Sequence, residues 1–106
     1  MAPLDESRWA SISLAEQMAN IGSEVGRSMK WLAKDKASLA EGAYLRALDL
    51  FDLTIKYGRL SSPGRGAFLK EICRARDLYN ESFLARDFDS LSYLDKYFAQ
   101  FALILR

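Results

Sequence analysis

The residues best suited to chemistry are carboxylates at helical spacing: Glu16 and Glu24, Asp49 and Asp52, Glu71 and Asp77. Carboxylates projecting from facing helices can gather oxygen ligands around paired metal ions in a bundle core. The familiar di-metal arrangement also takes a Glu-x-x-His motif from each of two helices. The chain has no histidine. These carboxylates fall mainly on polar stripes, where solvated ion pairs are the expected state, so neither a metal nor a cofactor is expected. Without histidine the ordinary general base at neutral pH is missing too, which removes hydrolytic triads and a Cys–His pair. Cys73 is the single thiol. It falls inside a predicted helix and reads as a small buried or half-buried side chain in a reducing compartment. The stretch SSPGRGAFLK lacks the GK[ST] ending of a phosphate-binding loop and follows no predicted strand. A non-enzymatic protein is therefore expected.

Charge offers a binding chemistry instead. From Lys56 to Arg76 six cations stand against Glu71 alone, a net of +5. From Asp77 to Asp95 five carboxylates face only Arg86, a net of −4. One reading is an anion or nucleic-acid site built from Arg59, Arg65, Lys70, Arg74 and Arg76, with Arg59 and Arg65 flanking a helix N-terminus whose free N–H groups favour phosphate. The other reading is a solvated connection whose arginines pair with nearby carboxylates. A formal net charge of +1 over the chain gives no global field for nucleic acid or a membrane.

The elements that must carry these residues are helical. At 106 residues one domain is expected, and 50% hydrophobic with 27% charged residues is an ordinary globular balance. The periodicity predicts helices over about 13–34, 38–57, 65–84 and 90–105, joined mostly by short connections. Leu14, Met18, Ile21, Val25 and Leu32 form a heptad-like seam on the first. Beside it runs a small-residue stripe, Ala15, Ala19, Gly22, Gly26 and Ala33, which predicts close approach of another backbone. Ser38 with Glu41 suggests a capping box for the second helix, with Asp52–Lys56 and Arg46–Asp49 as pairs along it and Gly58 as its C-cap. Ile72, Ala75, Tyr79 and Phe83, with Phe68 or Leu69, line the third. Asp89 or Ser90 is the expected cap of the fourth, whose seam is Leu91, Leu94, Phe98, Phe101 and Leu105. Met1 to Ser11 reads as a polar lead-in from which Trp9 docks on the core. The expected fold class is all-α, an antiparallel up-and-down four-helix bundle.

The second predicted helix is apolar on two sides. Leu50, Leu53 and Tyr57 add a stripe to the one through Ala43, Ala47 and Phe51, and Tyr93, Tyr97, Phe101 and Ile104 widen the fourth helix. That exceeds what one narrow seam needs and points to an interface with a second copy or a protein partner. The start, MAPLDESRWASIS, is too polar for a signal peptide, and FALILR is too short to span a bilayer, so a soluble cytoplasmic protein is expected.

The succession ANIGSEVGR (Ala19 to Arg27), RALDLFDLTIKYGR (Arg46 to Arg59), KEICRARDLY (Lys70 to Tyr79) and YLDKYFAQFAL (Tyr93 to Leu103) resembles small bacterial four-helix proteins, similar at fold level to the HEPN-like bundles. Those bundles include partners of nucleotidyltransferases and ribonuclease toxins. The toxins carry an arginine followed within a few residues by histidine. Arg74, Arg76 and Asp77 are the nearest polar cluster here and do not satisfy that pattern, so ribonuclease activity is not implied. The resemblance implies a dimerising helical module that binds a protein or a nucleotide-bearing partner.

Overall fold

Two non-glycine residues with left-handed backbone, Asp35 and Arg86 (both φ 55°), set where the chain turns back. The structure is a computed structural model that describes residues 6–57 and 65–105, with side chains from Phe68 onward in the second stretch. All regular structure among the described residues is helical: α1 Glu6–Ser11, α2 Leu14–Ala33, α3 Ala37–Tyr57, α4 Arg65–Ala85 and α5 Phe88–Ile104. No described helix is long and apolar enough to cross a membrane.

The two short turns share one construction. After α2 the Asp35 N–H donates to Leu32 O (3.1 Å) and the Lys36 N–H to Trp31 O (2.9 Å). After α4 the Arg86 N–H donates to Phe83 O (3.1 Å) and the Asp87 N–H to Ser82 O (2.8 Å). This is a Schellman stop with Asp35 and Arg86 at the position that usually takes glycine. Each stop delivers the chain straight into the next helix, which moves two expected caps. α3 starts at Ala37, with Lys36 O accepting the first bond from Ala40 N, so Ser38 lies inside the first turn. α5 is capped by Asp87, not by Asp89 or Ser90: its carboxylate accepts from Ser90 N (3.2 Å) and Ser90 Oγ (2.8 Å). The turns are tied to each other, because the Arg86 guanidinium reaches Asp35 Oδ1 (2.9 Å) and Leu32 O (3.3 Å). The expected C-cap Gly58 lies outside the described residues.

α2 packs most extensively against α3 and α5, while α4 lies against α3 and α5 with smaller contacts. The expected seam on α2 is buried at Met18, Ile21, Val25 and Leu32, but Leu14, in the first turn, is 39% exposed. The gap between Val25 and Leu32 is filled by Ser28, fully buried. Its hydroxyl donates to Val25 O (2.8 Å), which leaves the Tyr79 hydroxyl to donate to Ser28 Oγ (2.6 Å). The small-residue stripe does bring a backbone close. A Cβ built on Gly22 would stand 2.6 Å from the Phe98 Cβ and within 3.6 Å of its backbone. Aromatic rings run through the core from Tyr44 stacked on Phe83 (centroids 4.2 Å), through Tyr79 and Phe51, to Phe98, Tyr97 and Phe101. In α5, Leu91, Leu94 and Phe98 are buried, Phe101 is half-buried and Leu105 is exposed.

The expected lead-in forms the short α1. Trp9 docks as foreseen: it is buried, its Nε1–H donates to Thr54 Oγ1 (3.2 Å), and its carbonyl accepts from the buried Gln17 amide (2.9 Å). The expected ion pairs within α3 are replaced by pairs to other elements. Arg46 meets Glu24 (3.2 Å), Asp52 meets Arg76 (2.8 Å) and Lys56 meets Glu6 (3.4 Å). Pairs between helices tie down elements that local i,i+4 pairs cannot. Cys73 is exposed, not buried, because it sits about 100° round α4 from Ile72, away from the stripe Ile72, Ala75, Tyr79 and Phe83.

Candidate interaction surface

Among the described residues, two grooves stand out on the surface. The first, about 480 Å³, lies between α1, α2 and α3. Trp9, Ile12, Leu50 and Leu53 give it apolar walls, and Glu16, Asn20, Glu24 and Arg27 line its polar side. Here Glu24 accepts from both Arg27 (2.7 Å) and Arg46 (3.2 Å), which ties the polar side of the groove to α3. Leu50 and Leu53 are buried by the chain itself, each less than a tenth exposed. Tyr57 is half-buried at the end of α3, where its hydroxyl donates to Glu6 Oε2 (2.8 Å) and its ring lies under Lys56 Nζ (5.2 Å).

The second groove, about 340 Å³, runs between α4 and α5. Ala75, Leu78 and Leu94 supply its apolar lining, Tyr93 and Tyr97 one wall, and Glu71 and Arg74 the other. Tyr97 is held by edge-on contacts with Phe98 and Phe101, and its hydroxyl donates to the Glu71 carboxylate. Burial first, and then this bond to a carboxylate, push the Tyr97 phenol upward from its ordinary value. Tyr93 (63% exposed) and Ile104 (68%) are the most open of the apolar residues singled out from the sequence. Leu103, Leu84, Leu39 and Leu45 are comparably exposed and were not singled out, since they sit off the regular stripes.

The five basic candidates separate. Arg76 is paired with Asp52, whereas Lys70 and Arg74 are exposed with no ion-pair partner among the described residues. Arg65 opens α4, its side chain outside the described set, and Arg59 lies outside the described residues altogether. Among the described residues no three His, Cys, Asp or Glu side chains cluster in a way that could hold a metal ion. Of the six candidate carboxylates, Glu24 and Asp52 are in ion pairs and Glu71 accepts from Tyr97. The α4–α5 surface is thus an apolar aromatic groove with the exposed Arg74 guanidinium on its wall.

The titrating groups that depart from ordinary values do so away from neutrality. Hydrogen bonds from Tyr57 and Lys56 hold the Glu6 carboxyl low, and the Ser90 hydroxyl and amide hold Asp87 low. Burial raises the phenols of Tyr44, Tyr79 and Tyr97, and Glu6 raises Lys56. The lowered carboxyls contribute stability that is present above about pH 4 and lost as pH falls through their folded values. The raised phenols and ammonium contribute stability that is present below about pH 10 and lost as pH rises beyond it. With no histidine to titrate between, the urea midpoint is expected to stay level from roughly pH 5 to 9 and to fall on both sides. A slope inside that window would contradict these assignments.

No family model, curated protein or solved structure matches the chain.

Proposed function

We propose that this chain is a non-enzymatic helical interaction module whose four long helices form an antiparallel up-and-down bundle, and that it homodimerises and docks a protein partner in a reducing, cytoplasmic setting. The order of contacts supports the bundle: Gly22 meets Phe98 while Gly26 meets Asp95, and Tyr44 meets Phe83 while Asp52 meets Arg76. One observation carries the function. Tyr93 and Ile104 stand open on α5 beside half-buried Tyr97 and Phe101, next to an apolar groove. Apolar and tyrosine surface of this kind is what an association face presents before it is covered. A HEPN-like resemblance is in keeping with a dimerising module. The alternative, a nucleic-acid or nucleotide-binding accessory protein, is favoured by exposed Lys70 and Arg74 and opposed by Asp77 and Glu81 on the same helix face.

The test is mass in solution by light scattering on a sizing column. A mass near twice 12.0 kDa is expected. Tyr93→Asp with Ile104→Asp is expected to return it to the monomer value. A wild-type mass of 12.0 kDa at every concentration would sink the homodimer.

A further inference from the structure

The outward face of α4 carries a row of charges in an unusual order. Lys70, Arg74, Asp77 and Glu81 recur at spacings of four, three and four, so they share one stripe opposite the buried Ile72, Ala75, Tyr79 and Phe83. All four are exposed, and none has an ion-pair partner among the described residues. Elsewhere Arg46, Asp52, Lys56 and Arg76 each find a partner on a neighbouring element. Within the row, Lys70 with Arg74 and Asp77 with Glu81 are like-charge pairs at i,i+4, an arrangement that is unfavourable on an isolated helix.

The row reads basic, basic, acidic, acidic. Reversed, it becomes its own complement. If a second copy lies antiparallel to α4, with the two-fold axis passing between Ala75 and Arg76, Lys70 falls opposite Glu81 of the second copy and Arg74 opposite its Asp77. Two-fold symmetry repeats both pairs, so every member of the row is matched. Arg74 of the row lines the groove between α4 and α5, where Leu78, Tyr93 and Tyr97 offer apolar surface beside the charges. A parallel copy would set like charge against like.

We infer that the occupant of the α4–α5 groove is a second copy of this chain, docked antiparallel along α4 with Lys70 on Glu81 and Arg74 on Asp77 across the two-fold axis. This rests on the homodimer reading above and deepens it by fixing the face and the direction.

The experiment is a charge reversal with mixing, read by light scattering and sedimentation. Lys70→Glu with Arg74→Glu makes the row wholly acidic; Asp77→Lys with Glu81→Lys makes it wholly basic. Each variant alone is expected to self-associate at least ~10-fold more weakly than wild type. An equimolar mixture is expected to recover association as a heterodimer. A variant that dimerises as tightly as wild type, or a mixture that stays monomeric, overturns the face and direction while leaving the homodimer standing if wild type is dimeric. A wild type that is monomeric throughout overturns both. A second reading needs no variant: wild-type association is expected to weaken as salt rises. An affinity unchanged from low to high salt overturns the charge pairing.

Discussion

Phe51→Ala is expected to remove about 3–5 kcal/mol of stability, the range for deleting a fully buried aromatic ring. Phe51 is wholly buried on α3. Its ring meets Phe98 of α5 edge-on (5.5 Å, 75°) and Tyr79 of α4 at a tilt (5.9 Å, 32°). It therefore joins three helices at one point, and the cavity left behind would be walled by large rings that cannot all move inward together. A domain of this size has a total stability of about 5–15 kcal/mol, so the loss is a large share. The measurement is a urea titration with the slope m held as a check on two-state behaviour. Phe51→Leu, closer in volume, is expected to cost less than about 1.5 kcal/mol. Equal losses for the two variants would show that the ring contacts themselves, and not the buried volume, hold α3 to α4 and α5.

The second large effect concerns two glycines of one stripe that should respond with opposite sign. Ala is the better helix former by about 1 kcal/mol, so propensity alone predicts that both Gly22→Ala and Gly26→Ala stabilise. At Gly22 the new methyl would lie 2.6 Å from the Phe98 Cβ. That atom moves only with its backbone, so no rotamer change relieves the contact and α5 must shift away from α2. Overpacking of this kind costs about 1–3 kcal/mol, which outweighs the propensity gain at all but its lowest values. At Gly26 the nearest atom is Asp95 Oδ1, at 2.9 Å. It is the far end of a partly exposed side chain that can swing into solvent. Gly26→Ala is therefore expected to be neutral or to stabilise by up to about 1 kcal/mol. Thermal midpoints of the two variants decide it, and a stabilised Gly22→Ala would refute the close α2–α5 approach.

Those glycines also show how the fold was legible in the sequence. Their alignment with Ala15 and Ala19 is a geometric statement that needs no partner, and it correctly implied a nearby backbone. The apolar seams were legible for the same reason: Met18, Ile21 and Val25, or Leu91, Leu94 and Phe98, repeat at the helical period whatever they pack against. What failed depends on groups distant in sequence. Ser28 sits in the seam of α2 as a polar interruption, and its partner Tyr79 is 51 residues away. Arg46, Asp52 and Lys56 have good local partners in sequence yet choose Glu24, Arg76 and Glu6. The short α1 was invisible because six residues hold no full apolar period and the helix is fixed by Trp9 on Thr54. The turns were misplaced by a residue or two because Asp35 and Arg86 take a conformation that glycine normally signals. Of the candidate surface, Tyr93, Tyr97 and Arg74 were named from the sequence. The groove that unites them with Leu78 required knowing which face of α4 meets α5.

The bond between Arg86 and Asp35 joins the α2–α3 turn to the α4–α5 turn, so neither of these turns can swing away without giving up its hold on the other. At the other end of α3 the described links are side chains of α1, Trp9 on Thr54 and Glu6 on Lys56 and Tyr57. Cutting the tie with Arg86→Ala is expected to hasten amide exchange at both turns together, beside Leu32 and beside Phe83, and faster exchange at one turn alone would refute the coupling.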